Sequence, residues 1–450
     1  MDESEAGGSG NVREVEEESS CCMMRFLHYT VVPLLLMLTT PNFSVLLAGY
    51  VGHYHSDYQQ ALGDGLSKFF WTSWGAAGVG DWETWSFLLV FSIYGLLSQL
   101  VLGGEEYTGP ATKSGHVPRY RHSGFRYFLL TAVIMAVLVG SDAFSGWYWY
   151  NKLPRFAGAL NLYGFVFCIF LYVKGRLSPS PGECGSSGNF IFDYYWGLEL
   201  YPRMLGNRID LKMATNNRFG MMMWALVVWV CWKAQVEHSG WNWAMATSAV
   251  LQTIYIGKFY WWEDGYMNSI DIIMDRAGYY ICWGCIVFVP IFYTSTSLYL
   301  TERSPDMPLW GAILILTAGL AMVGLNYWAD QQRREARKTN GDCTIWFRKP
   351  TVVVAKYSTQ DGEAKESLLL ASGFWGLSRH INYLFEVLAA FCWELPSLFF
   401  SIIPYLYVMF LMVLLLHRSH RDELKCKQKY GKHWDEYCRV SRYRIVPFVF

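Results

Sequence analysis

Long apolar runs, separated by shorter polar segments, dominate this chain. They lie around residues 31–50, 85–103, 127–149, 158–174, 219–236, 241–258, 279–299 and 308–328, each close to the ~20 residues that an α-helix needs to cross a ~30 Å hydrocarbon core. The stretch 382–416 is too long for one crossing and carries Glu394-Leu395-Pro396-Ser397 midway, which predicts a tight helical hairpin. The pattern therefore predicts an all-α polytopic membrane protein with about ten transmembrane helices. An even number of crossings puts both termini on one side.

The polar segments say which side. Lys and Arg are frequent in 104–126, 175–218, 329–372 and 417–450, whereas 51–84 holds only Lys68 and 300–307 only Arg303. Cationic loops stay on the cytosolic side, so both termini are expected there. Residues 1–25 begin with an acidic, Gly/Ser-rich stretch that cannot form a core and lacks the basic start of a cleaved signal peptide, which predicts a disordered cytosolic tail.

Composition agrees with a membrane protein. Of 450 residues, 53% are hydrophobic and only 16% charged, against roughly 25% charged in soluble domains. Lys plus Arg balance Asp plus Glu at 37 each, which excludes a global basic field for nucleic acid. Eleven cysteines are too few and scattered for a disulfide framework, and most sit in apolar runs as packing residues. Cys282 and Cys285 have redox spacing but lie inside such a run, so they too are read as packing. Cys21 and Cys22, just before the first run, are candidates for acylation. No metal site is expected.

Three polar clusters bracket the last predicted spans: 330–341, 372–383 and 417–447. Lys and Arg at a cytosolic helix end ordinarily anchor it to headgroups, and Trp or Tyr there ordinarily belong to the interfacial belt. Here Arg379, His380 and Asn382 accompany Trp375 and Tyr383, and Arg418, Asp422, Lys429, Tyr430, Trp434 and Tyr437 follow. A large anionic ligand with an aromatic part needs that mixture: Arg and Lys for phosphate, an aromatic face for a ring, and Asn or Asp for amide and hydroxyl groups. The nearest string to a dinucleotide fingerprint, Gly75 to Gly80, has the wrong glycine spacing, and no P-loop sequence is present.

The segments LLLASGFWGLSRHINY (368–383), HRDELKCKQKYGKHWDEYCRVSRYRIVP (420–447), DIIMDRAGYY (271–280) and LELYPRM (198–204) resemble the membrane sterol reductases, a family that includes delta-14 and carbon-24 reductases and the lamin B receptor. The insert 345–376 looks like that of the delta-7 branch and predicts a β-hairpin turning at Gln360-Asp361-Gly362. The resemblance implies an enzyme of the endoplasmic reticulum membrane that reduces the carbon 7–8 double bond of a 5,7-diene sterol such as 7-dehydrocholesterol, with NADPH as cofactor. Its sterol meets it within the bilayer, and association with other enzymes of the pathway is left open.

By the same resemblance, residues 26–328 form helices one to eight on the sterol side. Residues 329–450 then hold the hairpin insert, helices nine and ten and a C-terminal cytosolic tail that binds the cofactor. Cofactor positions carry over to Arg333, Arg337, Trp375, Arg379, Asn382, Arg418, Asp422, Cys426, Lys429, Tyr430 and Tyr437. Two departures stand out: Ala336 replaces a usual aromatic, and Ser441-Arg442-Tyr443-Arg444 replaces a common Val-Pro-Tyr-Arg, so weaker local packing is expected.

An unactivated ring alkene is not electrophilic, so a proton must arrive before hydride can add. The acid must remain protonated near neutral pH, which burial in hydrocarbon favours. Glu263, Tyr266, Asp271 and Asp275 are candidate donors, with Trp261, Trp262 and Tyr279 placed to stabilise a cation through their ring faces. Asp422 is a further candidate in a proton path. The blander reading pairs Asp271 and Asp275 with basic loop residues. Three other functions stand beside this one: a delta-14 sterol reductase of the same family; a methyltransferase of the isoprenylcysteine type, whose Arg-His-Pro string is broken here by Ile381; and a non-catalytic sterol-binding scaffold, which would show eroded cofactor positions.

Overall fold

A computed structural model describes residues 23–112, 115–358 and 364–450. Residues 1–22 of the expected disordered tail, the acylation candidates Cys21 and Cys22, and the turn at Gln360-Asp361-Gly362 lie outside the described residues.

The apolar runs are helices. Among the described residues, seven helices are long and apolar enough to cross a membrane: α1 (Met23–Gly52), α2 (Trp82–Val101), α4 (Leu153–Leu177), α5 (Leu211–Ser239), α7 (Tyr279–Arg303), α8 (Leu309–Lys338) and α10 (Ile403–Tyr430). The remaining runs form α3 (Gly124–Gly140), α6 (Trp243–Trp261) and α9 (Ile381–Glu394), of 17, 19 and 14 residues. The run expected over 127–149 is interrupted. Helix α3 stops at Gly140, Asp142 takes a positive φ of 52°, and a separate short helix, Gly146–Asn151, follows. A left-handed backbone at a non-glycine residue ends the α-helical ladder there.

Helix α8 has 30 residues, or about 45 Å at 1.5 Å per residue. Its apolar part ends near residue 328, so the last turns continue the same rod into polar surroundings and display Asp330, Arg333 and Arg337. Helix α10 does likewise, carrying Arg418 to Lys429 on helix that the sequence suggested was tail. Between α9 and α10 the chain breaks where Glu394-Leu395-Pro396-Ser397 predicted. Two single 3-10 turns, Leu395–Ser397 and Ile403–Tyr405, each begin with Pro near the first position. The Glu394 carboxylate oxygen Oε1 accepts the Val408 N–H at 3.0 Å, capping the α-helical start of α10 from across the hairpin.

The described residues divide into two compact units. The first draws on the described residues up to Phe144, on Tyr148–Leu226 and on Gly257–Phe292, the second on Ser145–Trp147, Val227–Ile256 and the described residues from Tyr293 onward. In the first unit, two small antiparallel pairs that hydrophobic patterning did not reveal, β1 (Glu106–Thr108) with β2 (Arg119–Arg121) and β3 (Arg203–Met204) with β4 (Ile209–Asp210), sit in the polar segments. With two or three residues each, they have too few positions to show alternation.

In the second unit, β5 (Val352–Ser358) pairs antiparallel with β6 (Ala364–Leu370), from Val352 opposite Leu370 to Ser358 opposite Ala364. The pleat sends successive side chains to opposite faces. Val353, Ala355 and Leu369 pack with Tyr430, Trp434 and Tyr437, while Val352, Leu368 and Leu370 pack with Ala336, Phe374 and Trp375. The hairpin thus fixes the end of α10 on one face and the end of α8 on the other. Ala336, fully buried, is the small residue that this second contact accommodates.

Candidate cofactor and proton-transfer site

In the second unit, the three clusters singled out by sequence converge. The Trp375 indole N–H donates to the Ala329 carbonyl at 2.7 Å, fixing the ring against α8, and the Arg333 guanidinium lies 4.3 Å from the ring centre. That is close enough for a cation–π contact, which lines up a flat cationic group beside an aromatic face. Asp330 accepts from both Arg333 and the Asn382 amide, each at 3.2 Å, so α8 and the start of α9 are tied polar group to polar group. Arg337 is exposed one turn beyond Arg333, on the same face.

Helix α10 contributes the rest. Cys426 faces Asp422 with its thiol 3.9 Å from Oδ2. The Lys429 ammonium lies 4.2 Å from the Tyr357 ring centre and 5.1 Å from that of Tyr430. Tyr437, on α11 (Lys432–Val440), is buried and its phenol is pushed up to about 12, first by desolvation; the charges of Arg333 and Arg379 oppose that rise. Those two arginines therefore act on the same small volume as Tyr437.

Arg379 has a different character. Nε and Nη2 bond one oxygen of Glu423, at 2.9 and 2.6 Å, and Nη1 bonds the carbonyls of Ser441 and Arg442, both at 2.7 Å. Glu423 takes Arg444 on its other oxygen. This network holds the C-terminal segment onto the loop before α9, and the Ser441-Arg442-Tyr443-Arg444 departure is the segment held: the Arg379 and His380 N–H groups donate to the Tyr443 and Arg444 carbonyls at 2.9 and 2.8 Å.

His380 is buried and stacks on Tyr383, with ring centres 4.9 Å apart. Desolvation pushes its pKa down to about 4; Arg333 and Arg379 add to the fall, while Asp422 and Glu423 oppose it. The unfolded chain binds a proton on this histidine below about 6.5 that the folded chain refuses until about 4, so stability should fall as pH drops through that window. Thermal unfolding of the purified protein at pH 7 and pH 5 is expected to show a smaller loss in a His380→Gln variant than in the unsubstituted protein.

A polar chain leads from these residues along α9. The Asn326 amide, on α8, donates at 2.8 Å both to the Asn382 carbonyl and to Glu386 Oε2. Tyr255, on α6, donates its hydroxyl to Glu386 Oε1, and the Tyr407 side chain hydrogen-bonds Tyr255. Tyr255 and Glu386 are partly exposed, while Tyr407 is buried. The sequence reading passed over this pair. Its signal was an acidic residue inside an apolar run, which is by itself a functional candidate; its partner lies 131 residues away, beyond the reach of local pattern.

The other donor candidates belong to the first unit. Glu263 is buried, and each of its oxygens accepts two donors. Oε2 takes the Ser123 and Gly124 N–H groups at 3.1 and 2.8 Å, and Oε1 takes Asn217 Nδ2 and Arg218 Nη1 at 2.9 and 2.7 Å. A Cβ on Gly124 would come within 2.7 Å of that carboxylate, so the start of α3 closes on Glu263 only through glycine. This is the bonding of a tie between α3, the π-helical turn at Ala214–Met221 and the start of the short helix Glu263–Met267. Asp275 is buried and Asp271 partly so. Buried Lys212 binds the Ile272 and Asp275 carbonyls and fixes that loop. Tyr266 is partly buried against Phe259, with ring centres 4.9 Å apart.

Among the described residues, no group of three or more potential ligands could hold a metal ion. Cys282 and Cys285 are free thiols on the π-helical start of α7.

A polytopic helical fold that carries a basic, aromatic cluster and a partly buried tyrosine–carboxyl pair on apolar helices defines a membrane-embedded class of protein. The chain belongs to the ergosterol biosynthesis ERG4/ERG24 family of sterol reductases, whose sequence pattern matches residues 33–450. It is 40% identical to the 7-dehydrocholesterol reductase of Arabidopsis thaliana over 438 residues, covering 95% of this chain and 100% of that protein. Similarity to the 7-dehydrocholesterol reductase of Danio rerio is 31% over 84% of this chain and 80% of that one. The delta(14)-sterol reductase of Mus musculus is 31% identical over 93% of this chain and 96% of its own length.

Proposed function

We propose that this protein reduces the carbon 7–8 double bond of a 5,7-diene sterol, using NADPH, in the endoplasmic reticulum membrane, with ten crossings and both termini cytosolic. The observation that carries the delta-7 assignment is the 40% identity with a plant 7-dehydrocholesterol reductase across that protein's entire length. The delta(14)-sterol reductase of Mus musculus and the 7-dehydrocholesterol reductase of Danio rerio both stand at 31%. Residues 26–328 are taken as the sterol side and 329–450 as the cofactor side.

The residues of the second unit fit a dinucleotide. Asn382 Oδ1 and His380 Nε2 are buried with no hydrogen-bond partner, a state that a polar ligand relieves. Arg333, Arg337, Arg418 and Lys429 would hold phosphates, Trp375, Tyr430 and Tyr437 would face rings, and Asn382, Asp422 and Cys426 would line the polar edge. Arg379 would support the pocket by clamping the C-terminal segment. NADPH, when bound, supplies the hydride.

The chain's own residues supply the proton. Tyr255 holds a hydroxyl hydrogen against Glu386, on a hydrogen-bonded path that runs through Asn326 and Asn382 to Asp330. When Tyr255 gives its proton to an alkene carbon, Glu386 in its acid form can restore it, so no tyrosinate is left beside a carboxylate. The aromatic side chains around the pair, Tyr293 and Trp393 among them, with ring centres 4.6 Å from Tyr407 and 5.0 Å from Tyr255 respectively, exclude water and face a developing cation. Asp271, Asp275, Tyr266 and Asp422 remain candidates to be tested beside Tyr255.

Replacing Arg333, Arg337 or Arg418 with Ala is expected to weaken NADPH binding by roughly 1.5–3 kcal/mol each, the worth of a hydrogen bond to a charged group. Titration of the purified variants checks this; three unchanged affinities would remove the pocket from consideration. For the sterol, competing a 5,7-diene against a delta-14 alkene in one reaction and identifying the product by mass spectrometry tests the delta-7 assignment, which preferential loss of the delta-14 alkene would overturn.

A further inference from the structure

Glu394 is fully buried at the end of α9. One carboxyl oxygen accepts the Val408 N–H, and the other, Oε2, is buried with no partner. No basic side chain pairs with it among the described residues. A carboxylate here would be a buried charge met by a single N–H, a costly arrangement, whereas a carboxylic acid has a hydrogen to offer from the oxygen that now lacks a contact.

Its surroundings form a polar seam. Ser248 donates to the Trp393 carbonyl at 2.7 Å, and Gln252 bridges Ser248 and Ser297 at 3.1 and 2.9 Å. Thr296 donates to the Pro404 carbonyl at 2.7 Å. Tyr407 precedes the capped Val408 and feels the charges of both Glu386 and Glu394. Glu386 and Glu394 are eight residues apart on one helix, about 12 Å along its axis and roughly 80° apart around it. Tyr255 and Tyr407 stand between them, already hydrogen-bonded to each other. On the far side of Glu394, Ser397 and Tyr405 hydroxyls lead to the turn at 398–402, where Phe399 and Phe400 are exposed.

We propose that Glu394 is a proton reservoir that reloads Tyr255 through Tyr407, so that protons reach the sterol from the 395–405 turn, the end of α9 opposite the cofactor residues. The inference rests on the reading of Tyr255 as donor to a sterol alkene. The transfers balance. Tyr255 gives its hydroxyl proton to an alkene carbon and takes one from the Glu386 acid; Tyr407 then passes a proton through Tyr255 back to Glu386 and takes one from the Glu394 carboxyl, directly or through one water; and Glu394 takes one from water at the turn. Each turnover consumes one proton from water and one hydride from NADPH. Glu394 touches no substrate and acts through Tyr407.

A helix cap needs only an acceptor oxygen, which glutamine keeps; a reservoir needs an acidic hydrogen, which glutamine lacks. With protein purified into nanodiscs, NADPH and a 5,7-diene sterol, Glu394→Gln is expected to unfold at close to the wild-type temperature and to complete its first turnover within about twofold of the wild-type rate. Its steady-state rate should fall at least tenfold and recover on addition of formic acid, a small diffusible proton donor. Steady-state turnover at the wild-type rate, or equal slowing of the first and later turnovers, would overturn the relay and leave Glu394 as a cap. Glu394→Leu, which loses both functions, is expected to lower the unfolding temperature as well; a variant that stays as stable as Glu394→Gln would contradict the capping half of the account. Wild-type protein that leaves the diene intact would instead overturn the proposed reduction itself, a result visible before any variant is compared.

Discussion

Glu263→Ala is expected to cost about 3–5 kcal/mol of stability, the range found when one partner of a buried ion pair is removed. The substitution would strand the Arg218 guanidinium, which is buried and, among the described residues, hydrogen-bonds the Glu263, Asn217 and Ser123 side chains. It would also free the Ser123 and Gly124 N–H groups at the start of α3, where the helix dipole favours an anion. Thermal unfolding in detergent would show the loss, and Glu263→Gln should fall between Ala and wild type because it keeps an acceptor but not the charge. A Glu263→Gln protein that folds with wild-type stability, binds NADPH and sterol, and yet turns over slowly would restore Glu263 to the role of acid.

Tyr255→Phe is expected to lower kcat by roughly a hundredfold or more while leaving KM for the sterol and the affinity for NADPH nearly unchanged. The reason is that a general acid acts mainly in the transition state. The ring stays and only the hydroxyl goes, so packing against Trp393 is preserved. Glu386→Gln should resemble it in rate, and the double variant should be scarcely slower than either alone, because two groups on one proton path are not additive. Asp422→Asn, Asp271→Asn, Asp275→Asn and Tyr266→Phe belong in the same panel. Slow turnover in one of them, with both ligands bound and Tyr255→Phe unaffected, would move the donor to that residue.

The helices, the break after Glu394 and the strands of the insert were legible because each is written in consecutive residues: about twenty apolar positions, a proline beside polar residues, and two short apolar runs, Val352 to Ala355 and Leu368 to Leu370, either side of a polar turn. The convergence of Arg333, Trp375 and Asn382 was legible as composition, since phosphate and ring recognition demand a mixture that headgroup anchoring does not. The Glu423 partners of Arg379 and Arg444, and the Tyr255–Glu386 bond, were not, because they join residues brought together by packing of separate helices. Glu263 shows the converse. In sequence it looked like an acid at a helix end, and only its four donors, all of them 45 or more residues away, reveal a tie. The early end of α3 was hidden because the residues after Gly140 stay largely apolar and aromatic, and hydropathy does not register the φ of Asp142.

Incubating the purified protein with NADPH and a 5,7-diene sterol, and following the conjugated diene's ultraviolet bands beside NADPH absorbance, tests the central claim most directly. A delta-7 reductase makes the diene bands vanish in step with NADPH, one molecule for one, and neither changes without the other. Bands that persist while NADPH is consumed on a delta-14 alkene, or persist with no consumption at all, would contradict it.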